Sequence, residues 1–470
     1  MIRETSTMHR TTAALLLAGA LTLGFGGTAR AQKEAPPAVG TPKDFKLPPK
    51  REFTLPNGLA VTLVPFGTVP KATISLAVRT GRIDQQANQV WLPELTADLM
   101  NEGTATKTSA QVAEQVAGMG GTINVGVASD VTNIGGEVLS ERAPEMVRLV
   151  AEVARAPRLP ESEIERIKGD RLRNLAISKS QPQPIATEKF RELLYGDHPY
   201  GQLYPTEAVL QGFTIAQVRD YHARNFGAAR SHLYVAGVFD AAAVEAAIRQ
   251  AFGDWKRGPA PTTRPPAPRS QRTLALIDRP DAVQSTVIIG LPVPGATDKD
   301  YVPLQVTDAL LGGSFGSRIT SNIREDKGYT YSPFSSVANF REQSYWYEQA
   351  DVTTAVTGAS MKEIFGEIER LQNEPPPAAE LDGIKNNLAG IFTLQNGSRG
   401  GIIGQLSFVD LQGLPDSYLT NYVRNVLAVT PQEVQRIARE HLRPEKMAIV
   451  VVGDRKTVAE QVAPYNTVVP

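Results

Sequence analysis

The chain has 470 residues, more than one hydrophobic core ordinarily organises, so two or more domains are expected. Hydrophobic residues make up 41% and charged residues 21%, a balance that argues against a disordered chain. Lysine plus arginine equals aspartate plus glutamate at 49 each, leaving no net field for nucleic acid or an anionic membrane, and without cysteine stability has to come from packing.

Arg3 and Arg10 precede an apolar run over 13–25, and Ala29-Arg30-Ala31 offers a small-x-small cleavage site. That layout predicts a secretory signal peptide over 1–31. An uncleaved anchor is the alternative, but the run is short for a bilayer. The mature chain is expected in the periplasm, with no membrane span. Residues 32–50, rich in proline, lysine and small residues, read as a flexible leader, and folded structure is expected from Arg51. Alternation over 73–78 predicts a half-buried strand, and a helix follows over 92–101. Thr108 and Gln111 are spaced as a capping box for the next helix, which Gly120-Gly121 ends. Strands are predicted over 122–127 and 133–139, then helices over 144–153 and 161–177. Between 258 and 270 stand Pro259, Pro261, Pro265, Pro266 and Pro268, which predict a semi-rigid linker between residues 51–257 and 271–470.

The two parts resemble each other. Residues 214–237 lie on 430–453 without a gap at an offset of 216, with Thr214 on Thr430, Val218 on Val434 and a closing Val-x-Gly in both. Met146 falls opposite Met361 at an offset of 215, and Ile167-Lys168 opposite Ile384-Lys385 at 217. One such match is what any two amphipathic helices give; three in near-register indicate duplication. The expected fold is therefore α+β, two similar halves of interleaved strands and helices.

Generic chemistry is scarce. No P-loop or Rossmann glycine pattern occurs. The histidines are His9, His198, His222, His232 and His441, no two of them within five residues of each other, so no zinc site assembles from local His and Cys spacing. His198 reads as a turn residue, and His222 and His441 as packed or surface residues on the repeated helices.

Leu55-Pro56-Asn57-Gly58-Leu59, the strand ending in Arg79-Thr80-Gly81-Arg82, and Leu99-Met100-Asn101-Glu102-Gly103-Thr104 resemble the N-terminal domain of pitrilysin/insulinase-type metallopeptidases (inverzincins). The duplicated layout with a central linker is similar too, over roughly residues 50–465. The resemblance implies two pitrilysin-like α/β-sandwich halves. In catalytic members a helix before the Gly-Thr corner carries H-x-x-E-H, whose histidines bind zinc while the glutamate activates water. Aligned on Gly103-Thr104, the histidine positions hold Glu94 and Asp98 and the base position holds Ala97; no acid stands over 171–174, where a third ligand would fall. The resemblance thus implies no metal in this chain.

The second half carries Leu310-Leu311-Gly312-Gly313-Ser314-Phe315-Gly316-Ser317-Arg318, then Ile323-Arg324-Glu325-Asp326-Lys327-Gly328-Tyr329-Thr330-Tyr331-Ser332. The resemblance identifies Arg324, at a helix end, and Tyr331, on the next strand, as a pair that contacts substrate near the scissile bond. A guanidinium and a phenol are suited to hold a carbonyl and the oxyanion formed on it. Tyr329, two residues away and on the same strand face, is the rival for the tyrosine role. On residues alone, Arg324 reads equally as a surface ion-pair residue and the tyrosines as core edge, and Gly312, Gly313 and Gly316 as a tight turn. Some peptidases of this type divide the two signatures between subunits. The resemblance then implies a non-zinc subunit paired with a homologous zinc-bearing one, acting on peptides or unfolded polypeptide. A stand-alone peptide-binding or scaffold protein is the other reading.

Overall fold

The computed structural model describes residues 40, 42–261 and 263–466; the expected signal segment lies outside the described residues. The first half runs β1 (Arg51–Thr54), β2 (Ala60–Pro65), β3 (Lys71–Val78), α1 (Leu92–Met100), a two-residue ribbon of β4 (Gly103–Thr104) and β5 (Lys107–Thr108), α2 (Ser109–Gly118), β6 (Asn124–Val127) and β7 (Thr132–Leu139). It continues through α3 (Ala143–Arg155), α4 (Ile164–Ser180), α5 (Pro182–Tyr195), α6 (Ile215–Asn225), β8 (Ser231–Gly237) and α7 (Ala241–Phe252). The second half runs β9 (Thr273–Asp278), β10 (Gln284–Val293), α8 (Tyr301–Asp308), β11 (Phe334–Asn339), β12 (Ser344–Thr353), α9 (Thr357–Asn373), α10 (Ala378–Gln395), α11 (Arg399–Gln412), α12 (Ser417–Ala428), α13 (Pro431–His441), β13 (Ala448–Gly453) and α14 (Arg455–Val462). Capping boxes open α2 at Thr108, α6 at Thr214 and α13 at Thr430.

The sheets share one order. The first is β1-β2-β8-β3-β7-β6, and the second, read from its far edge, is β9-β13-β10-β12-β11. Each has one parallel pair, β2 with β8 and β9 with β13, among antiparallel ones. Repeated topology of this kind carries the duplication further than sequence offsets do. Described residues of 258–270 form neither helix nor strand. Residues 42–50 also lack both, yet Phe45 packs edge-on against Phe392 at 5.3 Å and Lys50 pairs with Asp416 at 2.8 Å, so that part of the expected leader is held down.

Alternation along each strand feeds two cores. Leu233 and Val235 of β8 face the half's own helices, whereas Tyr234 and Ala236 join a cluster with Phe392, Ile402, Leu406 and Val423 from α10, α11 and α12. The second sheet mirrors this: Val450 and Val452 of β13 pack with Ala186, Phe190 and Leu194 of α5. Each half thus lends a helix to the outer face of the other's sheet. The fit is close, since a Cβ on Gly290 would stand 2.7 Å from Cζ of Phe190.

Candidate functional site

Helix α1 begins after Trp91, whose φ of 73° is left-handed and rare for a bulky residue. Two arginines bind the face on which a ligand pair would stand. Arg82 donates from Nε to Oε1 of Glu94 at 2.5 Å, and Glu94 is nearly fully buried. Arg171 of α4 donates from Nε and Nη2 to the two carboxylate oxygens of Asp98, at 2.6 and 2.8 Å, and its guanidinium lies 5.6 Å from the Trp91 ring centre. Ala97 is buried and offers no donor. This set does not fit zinc: both carboxylates are neutralised by fixed cations, the base position is a methyl group, and Arg171 reaches from the helix that would supply the third ligand.

The second face is built from α8 onward. The helix widens into π-type turns over Ala309–Gly313 and again over Thr320–Asp326, separated by an exposed glycine-rich loop. Gly312-Gly313-Ser314-Phe315-Gly316 has G-x-S-x-G spacing, but it follows a helix rather than a strand, and Ser314 Oγ has no hydrogen-bond partner, so it is no nucleophile elbow. The expected tight turn forms at Gly316, where Ser317 N donates to Ser314 O just before the helix resumes, whereas Gly312 and Gly313 end the helical run, where side chains of Glu348 and Asp308 leave no room for a Cβ. Arg318 is locked by two bonds to Glu380, at 2.7 and 2.8 Å. Asn322 donates to Glu363 and Glu367, and Ile323 is buried, so the segment that carries Arg324 is anchored on both sides.

After Gly328, at φ 63°, the backbone turns back and Tyr329 N donates to Ile323 O. Thr330 bridges to Val352, and its hydroxyl donates to Asp351 O at 2.7 Å. The two tyrosines then part. Tyr329 packs against the second core, whereas Tyr331 is 77% exposed. They do not share a strand face, because Tyr331 precedes β11, which starts only at Phe334. Its freedom comes from the bend, not from sheet alternation. The Arg324 guanidinium lies 4.9 Å from the Tyr331 ring centre and 4.5 Å from that of Phe315, a residue 72% exposed that sequence reasoning passed over. Its signal was a large aromatic amid three glycines. Phe334, 42% exposed, extends the aromatic surface. Arg324 also pairs with Glu325 at 3.0 Å.

A polar cavity of about 340 Å³, lined by Arg318, Ser321, Asn322 and Lys327, adjoins this segment; another of about 510 Å³, lined by Met100, Val112, Val116 and Ile123, lies beside edge strand β6. Neither contains Arg324 or Tyr331, which stand on an open surface. Among the described residues, Asp300, Glu440 and His441 could converge on a metal, but Arg436 already fills that role. It gives Asp300 two bonds, at 3.0 and 2.8 Å, and holds that carboxyl well below the usual carboxylate range, with His441 adding to the effect. Of the remaining histidines, His198 sits in a turn with its ring against Arg264 O, His222 is packed on Phe226, where burial lowers its pKa, and His232 links Thr62 of β2 to Asp410 of α11.

Comparison with known proteins agrees with this architecture. Residues 64–204 match the model for insulinase (peptidase family M16), and residues 212–388 match that for the peptidase M16 inactive domain, together more than half of the chain. An uncharacterized zinc protease of Mycobacterium tuberculosis is 27% identical, over 86% of this chain and 93% of its own length, and a similarly described Bacillus subtilis protein is 22% identical over 86% and 98%. A crystal structure described as a peptidase M16 inactive domain from Pseudomonas fluorescens superposes with a TM-score of 0.79 at 26% identity, over 86% of this chain and 98% of that one. A Helicobacter pylori protease superposes at 0.81 with 21% identity, over 87% and 100%.

Proposed function

Because the chain belongs to the insulinase-type peptidase family M16, and helix α1 offers arginine-bound carboxylates in place of ligands, we propose that it is the non-zinc subunit of a heteromeric periplasmic metalloendopeptidase. The observation that carries this reading is the pairing of Arg324 with an exposed Tyr331 on an anchored segment. Such donors serve chemistry only when another surface closes over them. On this reading the H-x-x-E-H residues of a homologous partner would hold the zinc, which would supply Lewis-acid activation of the peptide carbonyl and of water. This chain binds the extended substrate, by strand addition at a sheet edge, and aims two donors at the carbonyl. The guanidinium and the phenol each offer a proton to the oxygen as it becomes negative, without having to reorganise.

The test is reconstitution. Purified alone, the chain should contain no stoichiometric zinc by elemental analysis and should leave unfolded casein intact. Mixed with a homologue bearing H-x-x-E-H from the same genome, it should form a complex and cleave. Zinc in the isolated chain overturns the reading. A complex whose activity is the same without this chain favours the peptide-binding scaffold instead.

A further inference from the structure

The least explained group in the molecule is Glu348. It sits mid-way along β12, is 1% exposed, and neither of its carboxylate oxygens has a hydrogen-bond partner. Its register neighbours are Ile289 on β10 and Ser335 on β11. No lysine or arginine acts on it; the charged group that does is Asp308, at the end of α8. Asp308 is also buried and accepts bonds from Ser335 Oγ at 2.5 Å and Trp346 Nε1 at 2.7 Å. The other titratable groups within reach are the Tyr301 and Tyr347 phenols, both pushed up by burial and so neutral.

Both carboxyls press on the same backbone. A Cβ at Gly312 would lie 2.6 Å from Glu348 Oε2 and from Ser335 Oγ, and one at Gly313 would lie 2.6 Å from Asp308 Oδ2. Those glycines start the loop that carries Phe315 and leads to Arg324 and Tyr331. Two buried like charges that act on each other, with no cation between them, cannot both persist in an apolar interior.

We infer that Glu348 and Asp308 share one proton beneath Gly312 and Gly313, and that this proton holds the segment 312–331 in place. Glu348 is a positioning residue: it touches the loop, not the substrate. Burial raises both groups, Asp308 to about 6 and Glu348 well above the ordinary carboxylate value, with the Asp308 charge pushing Glu348 up further, so the pair keeps a proton where free carboxyls have lost theirs. For a raised carboxyl the stabilisation is complete below the unfolded value of about 4 and is lost as pH rises through the folded one. The loop is therefore held most firmly in acid and loses that hold progressively as pH rises, until the last proton leaves.

Hydrogen exchange with mass spectrometry on the full chain, corrected for the intrinsic rate at each pH, tests this without any partner. Protection over 309–331 should fall as pH rises above about 4, by up to about tenfold per unit for each proton, and level off once the pair has lost its last proton. In Glu348→Gln, where only Asp308 still titrates, the fall should be markedly smaller and end near pH 6, while β2 and β8 behave alike in both proteins. An equal fall in the two proteins, or none in wild type, overturns the inference. Should Glu348→Gln fail to fold, Asp308→Asn gives the same comparison. The Trp346 indole N–H resonance of labelled wild type should also move with the alkaline transition, and a resonance constant with pH refutes the shared proton. The effect on turnover, a flattened alkaline limb of kcat with KM unchanged in Glu348→Gln, rests on the function proposed above. Its absence beside a positive exchange result would count against that function and not against the proton.

Discussion

Replacing Arg324 by alanine separates a chemical role from a structural one. The side chain makes two ring contacts, with Phe315 and Tyr331, and one ion pair with the exposed Glu325. Each ring contact at an exposed site is worth about 0.5–1 kcal/mol, and the pair roughly 0–1. Both rings are largely exposed, so truncation opens no cavity, and the stability loss should stay within about 1–3 kcal/mol. In a chain of this size that lowers Tm by no more than about 5 °C. Loss of a donor to a developing oxyanion costs about 10²–10³ in kcat. The assay is steady-state peptide cleavage by the reconstituted complex, beside thermal melts of the isolated chain. Arg324→Lys keeps the charge but not the planar fork, and should recover little of the rate. Cleavage within about threefold of wild type, or a rate loss matched by a collapse in Tm, would refute a chemical role.

Tyr331→Phe should lower turnover and leave Tm unchanged, whereas Tyr329→Ala should lower Tm, because only Tyr329 packs on the core; equal effects in both measurements would undo the assignment. Converting Glu94→His, Ala97→Glu and Asp98→His together should not yield stoichiometric zinc by elemental analysis while Arg82 and Arg171 remain, and adding Arg171→Glu should raise the zinc content. Phe190→Ala, which empties the contact of α5 with the second sheet, should cost about 3–5 kcal/mol and still show one cooperative denaturation, since it removes a surface both halves share. Asp300, held low by Arg436, stabilises the fold fully above about pH 4 and progressively less below it, so the stability gap between wild type and Arg436→Met should narrow as pH falls from 5 to 2 in acid unfolding.

What the sequence disclosed was local or repeated. Thr108 with Gln111 announced a helix start because a capping box is complete within four residues. The offsets from 215 to 217 disclosed the duplication because both copies keep the same turn-to-strand rhythm. Loss of the ligand set was legible at Glu94, Ala97 and Asp98, but not what replaced it: Arg82 and Arg171 lie 12 and 73 residues from their acids. The resemblance places Tyr331 on a strand, and the two-residue spacing puts Tyr329 on the same face; the bend after Gly328 and the bridge of Thr330 to Val352 decide otherwise. Glu348 was invisible for the same reason. In Tyr-Trp-Tyr-Glu-Gln it reads as the polar face of an edge strand, and only the return of Gly312 over it makes it interior.

The exchange of α5 and α11 between the halves bears on ancestry. A chain of half this length, built on the same plan, would leave one face of its sheet bare unless a second copy lent its helix. The tandem protein is thus a helix-swapped homodimer made covalent, with the proline stretch as its tether. Fusion raised the effective concentration of one copy for the other and removed any dependence on dilution. It also frees the halves from identity: one can hold Glu94, Ala97 and Asp98 on its helix while the other presents Arg324, a difference no symmetric dimer can make.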